Sequence, residues 1–67
     1  MKSTRWRLYK YKTAALERVE YDFVPIRVGD YVIQRKLPEG EWRNVYGPFL
    51  SKKVAERHMN LLQGDQG

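Results

Sequence analysis

Basic and aromatic side chains alternate in one short segment near the start of the chain, between residues 5 and 12. The segment reads Arg-Trp-Arg-Leu-Tyr-Lys-Tyr-Lys and so combines four cations with three aromatic rings. Cations neutralise phosphate groups and flat rings stack on nucleobases, which are the two contacts that hold single-stranded nucleic acid. The segment therefore predicts a surface that binds RNA or single-stranded DNA.

The net charge of the chain is concentrated in the same region. The 67 residues carry a formal net charge of +5. All of it comes from Lys2, Arg5, Arg7, Lys10 and Lys12, because the eight basic and eight acidic side chains after residue 12 cancel. A local excess of this kind attracts a polyanion or an acidic protein surface to one part of the molecule.

Alternation divides this segment into two faces if it forms a strand. Trp6 and Leu8 then lie on one side, where we expect them to join the core. The other side carries Arg5, Arg7, Tyr9 and Tyr11. A solvated outer strand face, or charged protection of a sheet edge, explains the same residues without a ligand.

The remaining pattern predicts a small α+β domain over residues 1–67. Periodicity indicates strands near 5–12, 17–24, 31–37 and 42–46. Within 17–24, Val19, Tyr21 and Phe23 alternate with charged residues, and a helix over 14–21 is the alternative. Pro25 either ends that strand or lies at a sheet edge.

The second half of the chain predicts a hairpin followed by a helix. Pro38-Glu39-Gly40 supplies the turn between strands 31–37 and 42–46. Ser51 is a suitable N-cap for an amphipathic helix over 52–63, and residues 64–67 form a frayed tail. The apolar face of that helix contains Val54, Ala55, His58, Met59, Leu61 and Leu62. The predicted fold is a three- to four-stranded, mainly antiparallel sheet with this helix packed on one face.

The hairpin register predicts a second aromatic surface. A turn at Pro38-Glu39 places Ile33 opposite Val45 and Val32 opposite Tyr46. One face then carries Val32, Gln34, Lys36, Trp42, Asn44 and Tyr46. A helix on the other, aliphatic face would leave these rings open to solvent beside cations, whereas a helix on this face would make Trp42 and Tyr46 core residues. The sequence does not decide which face the helix covers.

Residue types disfavour catalysis and metal binding. The chain has no cysteine and one histidine, His58, which lies on or beside the apolar face of the predicted helix. The acidic residues lack the spacing of a metal site, the glycines stand alone, and Ser51 is accounted for as a cap. We therefore expect no enzymatic activity, no metal and no cofactor.

The junction between the last strand and the helix carries a short likeness to a known family. Tyr46-Gly47-Pro48-Phe49-Leu50-Ser51, followed by Ala55-Glu56, resembles the strand-to-helix junction of peptidoglycan-binding SPOR domains. The likeness covers about ten residues, and the first half of the chain does not show that family's strand-helix-strand order. Local chemistry explains the junction equally well, since Gly-Pro turns the chain, Phe49 anchors it and Ser51 caps the helix. We interpret the likeness as local convergence.

These observations predict a small, non-enzymatic binding module. We expect contact with nucleic acid through Arg5, Arg7, Tyr9, Lys10, Tyr11, Lys12, Lys36, Trp42 and Tyr46. The alternative is a protein-interaction module or inhibitor, of the kind found among phage and mobile-element accessory proteins. It would dock on an acidic surface or a sheet edge of a larger host protein. No apolar run approaches ~20 residues and no secretory signal is visible, so we expect a cytoplasmic protein without a membrane span; homodimerisation is compatible with its size.

Overall fold

Five strands and one helix make up the part of the chain that a computed structural model describes, residues 4–64. The elements are β1 (Trp6–Lys10), β2 (Ala15–Val19), β3 (Asp22–Ile26), β4 (Tyr31–Lys36), β5 (Trp42–Phe49) and α1 (Lys52–Gly64). Strands β1, β4 and β5 form an antiparallel sheet in the order β1-β4-β5, and β2 pairs with β3 in a separate antiparallel hairpin. The predicted α+β class with one C-terminal helix is confirmed. Lys2 and residues 65–67 of the predicted frayed tail lie outside the described residues.

The central strand β4 is covered on both of its faces. Val32 is 0% exposed and packs with Val19 and Ile26 of the β2–β3 hairpin. Its neighbour Ile33 is also 0% exposed and points to the opposite side of the sheet, next to Leu8. Helix α1 covers that side. The molecule therefore has two small cores, one on each side of the sheet, and each fully buried aliphatic side chain contributes roughly 1.5–3 kcal/mol of transfer free energy.

The predicted single strand over 17–24 is wrong, and so is the alternative helix over 14–21. The chain reverses after β2, so that Arg18 pairs with Phe23 and the two halves form a hairpin. The reversal uses Glu20 in a left-handed conformation, with φ of 57°. Because this residue is neither Gly nor Asn, no turn signal marks the site in the sequence. Tyr21 and Phe23, whose alternation with charged residues suggested a half-buried strand, are consequently 78% and 67% exposed.

The predicted register between β4 and β5 is also corrected. Ile33 lies opposite Tyr46 rather than Val45, while Gln34 lies opposite Asn44. One residue of β5 between Asn44 and Tyr46 is thus unpaired, which is a β-bulge, and a second irregularity lies between the Ile33–Tyr46 and Tyr31–Phe49 pairs. The bulge carries Tyr46 to the helix side of the sheet and leaves Trp42 on the side of the hairpin. Pro25 lies within β3, and in a two-stranded sheet both strands are edge strands. A sheet edge was one of the two positions predicted for Pro25.

A close backbone contact fixes the junction between β5 and the helix. Gly47 has φ of 136°, and a Cβ there would lie 2.9 Å from Val32 Cγ1 and 3.1 Å from the Tyr31 carbonyl oxygen. Glycine is required because the neighbouring strand β4 leaves no space for a side chain. The Gly47–Pro48 peptide bond is cis.

The predicted turn and helix cap are confirmed. Gly40 N donates to the Leu37 carbonyl across the 38–40 turn, at 2.9 Å. Ser51 Oγ accepts a hydrogen bond of 3.1 Å from Lys53 N at the start of α1. The helix buries Ala55 completely but leaves Leu61 69% exposed, so the covered stripe is narrower than the predicted apolar face. No helix within residues 4–64 is long and apolar enough to cross a membrane.

Candidate functional site

Two cations and two aromatic rings meet on the sheet face that lies opposite α1. Arg7 and Tyr9 come from β1 by strand alternation, and Lys36 pairs directly with Trp42 across β4 and β5. These four residues form what we call the cation–aromatic face. The β2–β3 hairpin covers the neighbouring part of the same sheet face around Val32, so the cation–aromatic face is the part left open.

The cations of this face lie directly against its rings. The Arg7 guanidinium carbon is 4.4 Å from the Trp42 ring centroid and 5.6 Å from that of Tyr9. Lys36 Nζ is 5.7 Å from the Trp42 centroid. Each such contact is worth about 0.5–1 kcal/mol at an exposed site, so the rings hold the charges in place.

These charges have no acidic partner in the described part of the chain. Within residues 4–64, the ion pair found at 4.0 Å or closer is Lys52–Glu56, on the surface of α1. Arg7 and Lys36 therefore keep their full positive charge toward solvent. An anion that approaches the cation–aromatic face displaces no protein carboxylate.

A row of hydrogen-bonded amide side chains, the buried Gln34 and the half-buried Asn44, fixes the orientation of Arg7. Its Nε donates to Gln34 Oε1 at 2.6 Å, and Gln34 Nε2 donates in turn to Asn44 Oδ1 at 2.8 Å. Asn44 Nδ2 then donates to the Tyr11 hydroxyl and to the Arg18 carbonyl, both at 3.1 Å. The row crosses all three strands of the sheet. Because it uses only Nε of the guanidinium, the terminal nitrogens of Arg7 remain without an acceptor among residues 4–64 and can donate to a ligand.

Tyr11 belongs to the core rather than to the open surface. Its ring packs against the buried cluster of Val19, Ile26 and Val32. Desolvation by burial raises the pKa of the Tyr11 hydroxyl above its usual value of 10.0, and the hydrogen bond from Asn44 opposes that rise. The ring edge also contacts Tyr9, with centroids 5.0 Å apart. Tyr11 thus packs between the hairpin and the sheet and contacts Tyr9 of the cation–aromatic face.

Two other predicted site residues lie on the helix side of the sheet. Lys10 projects there by alternation, with Nζ 5.9 Å from the Tyr31 ring centroid. Tyr46 packs against Trp6 and His58, at centroid distances of 6.1 and 4.7 Å. Neither residue shares a surface with Arg7 or Trp42.

The last two predicted residues flank β1. Arg5 is exposed just before the strand, and its carbonyl accepts a hydrogen bond of 2.9 Å from Lys36 N, which places it beside the cation–aromatic face. Lys12 is exposed in the bend that follows β1. The structure therefore brings four of the predicted residues together, with Arg5 next to them.

An open groove continues from the cation–aromatic face. It has a volume of about 370 Å³ and lies where β5 meets the hairpin. Its lining residues are Arg18, Leu37, Glu41, Trp42, Arg43 and Asn44. Sequence reasoning missed Arg18 and Arg43 because their charges are balanced by acids elsewhere in the chain. Only the contact between β2 and β5 makes them neighbours.

Comparison of the chain with protein-family models, with curated proteins and with solved structures found no match. The likeness of residues 46–51 to the SPOR junction stays confined to that turn, since residues 4–51 form five strands and no helix. The arrangement of the cation–aromatic face is therefore the basis for a functional interpretation. Flat rings, guanidinium nitrogens with spare donor capacity and positive charge without a carboxylate partner among residues 4–64 suit a ligand that has both π-faces and anionic groups.

Proposed function

We propose that this protein is a non-enzymatic module that binds RNA or single-stranded DNA across the cation–aromatic face. The observation that carries the proposal is the stacking of Arg7 on Trp42, with the guanidinium fixed by Gln34 and without an acidic partner among residues 4–64. A fixed arginine of this kind offers donors to a phosphate and a flat surface to a base.

Binding would combine charge neutralisation with base stacking. Backbone phosphates meet Arg7 and Lys36 and release their condensed counterions. Bases stack on Tyr9, which is 41% exposed, and on the flat surface made by Trp42 and the Arg7 guanidinium. Both contacts tolerate any base, so little sequence specificity is expected, and a duplex, whose bases are already stacked on each other, binds more weakly.

Trp42 offers a direct test of stacking. The chain has two tryptophans, so a Trp6→Phe background leaves Trp42 as the sole indole fluorophore. Addition of a 12-nucleotide oligothymidine should quench this fluorescence, whereas the matched duplex at the same concentration should quench it less. Fluorescence anisotropy of the labelled strand gives the affinity in parallel.

The Trp42→Leu variant should bind the single strand 5- to 150-fold more weakly, which corresponds to roughly 1–3 kcal/mol for one stacked base. Tyr46→Leu is the matched control, because Tyr46 is an aromatic ring of the same strand that lies on the helix side of the sheet, away from the cation–aromatic face. Equal affinities for the two variants, or absence of binding at low ionic strength, would refute the proposal.

A second candidate function rests on the outer face of the β2–β3 hairpin. Leu16 and Phe23 are each 67% exposed there, and Pro25 shares the face. Neighbouring exposed apolar side chains are typical of protein-interaction surfaces. Capture of one protein from a lysate that survives nuclease treatment and is lost in a Leu16→Ser variant would favour a protein partner over nucleic acid.

A further inference from the structure

Two arginines from different strands converge on one backbone oxygen. Arg18 Nε of β2 and Arg43 Nη2 of β5 donate to the carbonyl of Glu20, at 3.1 and 3.3 Å. Because both nitrogens donate to the same oxygen, the distance between them is no greater than the sum of the two hydrogen-bond lengths. Two like charges that repel each other are thus held side by side by a shared acceptor.

The backbone around Glu20 keeps this arginine pair in place. Glu20 occupies the left-handed turn residue of the hairpin, and its amide donates to the Asn44 carbonyl at 2.9 Å. The Arg43 guanidinium carbon also lies 5.8 Å from the Tyr21 ring centroid. The turn therefore fixes both guanidinium groups before any ligand arrives.

The pair lacks a counterion among the described residues. Within residues 4–64 no carboxylate lies within 4.0 Å of either guanidinium. Glu41 lines the same groove, and its negative charge repels an anion from that end. The favourable position for an anion is consequently at the two guanidinium groups and not beside Glu41.

We propose that the arginine pair, Arg18 and Arg43, binds a phosphate group of the nucleic-acid strand. This inference rests on the proposed function and adds the path of the strand to it. Trp42 and Asn44 belong both to the groove and to the sheet face that carries Arg7, so the two surfaces are continuous. A strand whose base stacks at Trp42 would place a neighbouring phosphate against the two guanidinium groups, where their remaining N–H donors can reach it. The exposed ring of Tyr21 lies beside that phosphate as a further stacking surface.

Inorganic phosphate tests the pair without any oligonucleotide. In ¹H–¹⁵N correlation spectra, titration with phosphate should shift the Nε–H signals of Arg18 and Arg43 along saturable curves. Sodium chloride of the same ionic strength should not. Arg27 is the internal control, because it is an exposed arginine in the loop between β3 and β4. Equal shifts at Arg27, or no saturable shift at the pair, would overturn the inference.

Oligonucleotide affinity provides the second readout. Arg43→Gln should weaken single-strand binding about fivefold or more, through loss of one charge-assisted hydrogen bond, and Arg27→Gln should leave it unchanged. If the strand binds but Arg43→Gln has no effect, the phosphate position is wrong and the proposed function stands. If no strand binds while phosphate still shifts Arg18 and Arg43, the phosphate site stands and the proposed function is wrong.

Discussion

Removal of one lysine from each face of the sheet separates a local binding surface from a general effect of charge. Lys36→Gln removes a cation that lies over Trp42, on the cation–aromatic face. Lys10→Gln removes the same charge from the helix side of the sheet, where Lys10 lies near Tyr31. Both variants have a net charge one unit below the +5 of the native chain. The two variants differ only in the position of the charge that is removed.

The expected magnitude follows from the number of cations that meet the strand. Arg5, Arg7 and Lys36 lie at the cation–aromatic face, and Arg18 and Arg43 line the groove beside it. Three to five phosphate contacts give a slope of log K against log salt of roughly −2 to −3.5 for a single strand. Affinity should then fall roughly 15- to 130-fold between 50 and 200 mM salt.

Lys36→Gln should make this slope shallower by about 0.7, because one phosphate contact is lost. Lys10→Gln should leave the slope unchanged, because Lys10 lies on the other side of the sheet and makes no phosphate contact in the proposed complex. Anisotropy titrations of a labelled oligothymidine at four or more salt concentrations measure both slopes. Thermal unfolding followed by circular dichroism checks that both variants are folded.

Equal changes of slope in the two variants would show that binding follows net charge and not the cation–aromatic face. A native slope shallower than about −1 would show that phosphate neutralisation is not the main contribution to affinity. Either result refutes the argument from the position of Lys36.

Three further variants test the fold that supports this surface. Gly47→Ala should lower the free energy of unfolding by about 1–3 kcal/mol, because its new methyl group meets Val32 Cγ1 and the Tyr31 carbonyl; in a domain of this size the melting temperature falls by at least about 4 °C. Ile33→Val removes one fully buried methylene and should cost about 0.5–1.5 kcal/mol, measured by urea unfolding. Because the pKa of Tyr11 is raised in the folded state, its contribution to stability is complete below pH 10 and is lost as the pH rises above that value. Tyr11→Phe should therefore lose less stability than the native chain between pH 9 and pH 11, and an identical loss would contradict the assigned burial.

The local features of the chain were predictable because each depends on residues close together in sequence. Ser51 marks the start of α1, and Pro38 and Gly40 mark the hairpin turn, since caps and turns depend on the types of a few adjacent residues. Alternation likewise assigned Trp6 and Leu8 to the covered side of β1. The hairpin at Glu20 escaped prediction because its left-handed residue is of a type that gives no turn signal.

The sequence alone determined the element types in the second half of the chain, the class of the fold and the concentration of positive charge near β1. The tertiary structure decided which of those charges share a surface. The bulge in β5 between Asn44 and Tyr46 sends Tyr46 to the helix and keeps Trp42 beside Arg7, because strand side chains alternate with a period of two. The convergence of Arg18 and Arg43 on Glu20 needs contact between strands more than twenty residues apart, and periodicity within either strand carries no information about that contact. The basic, aromatic segment is thus one edge of the proposed binding surface, which the whole fold completes.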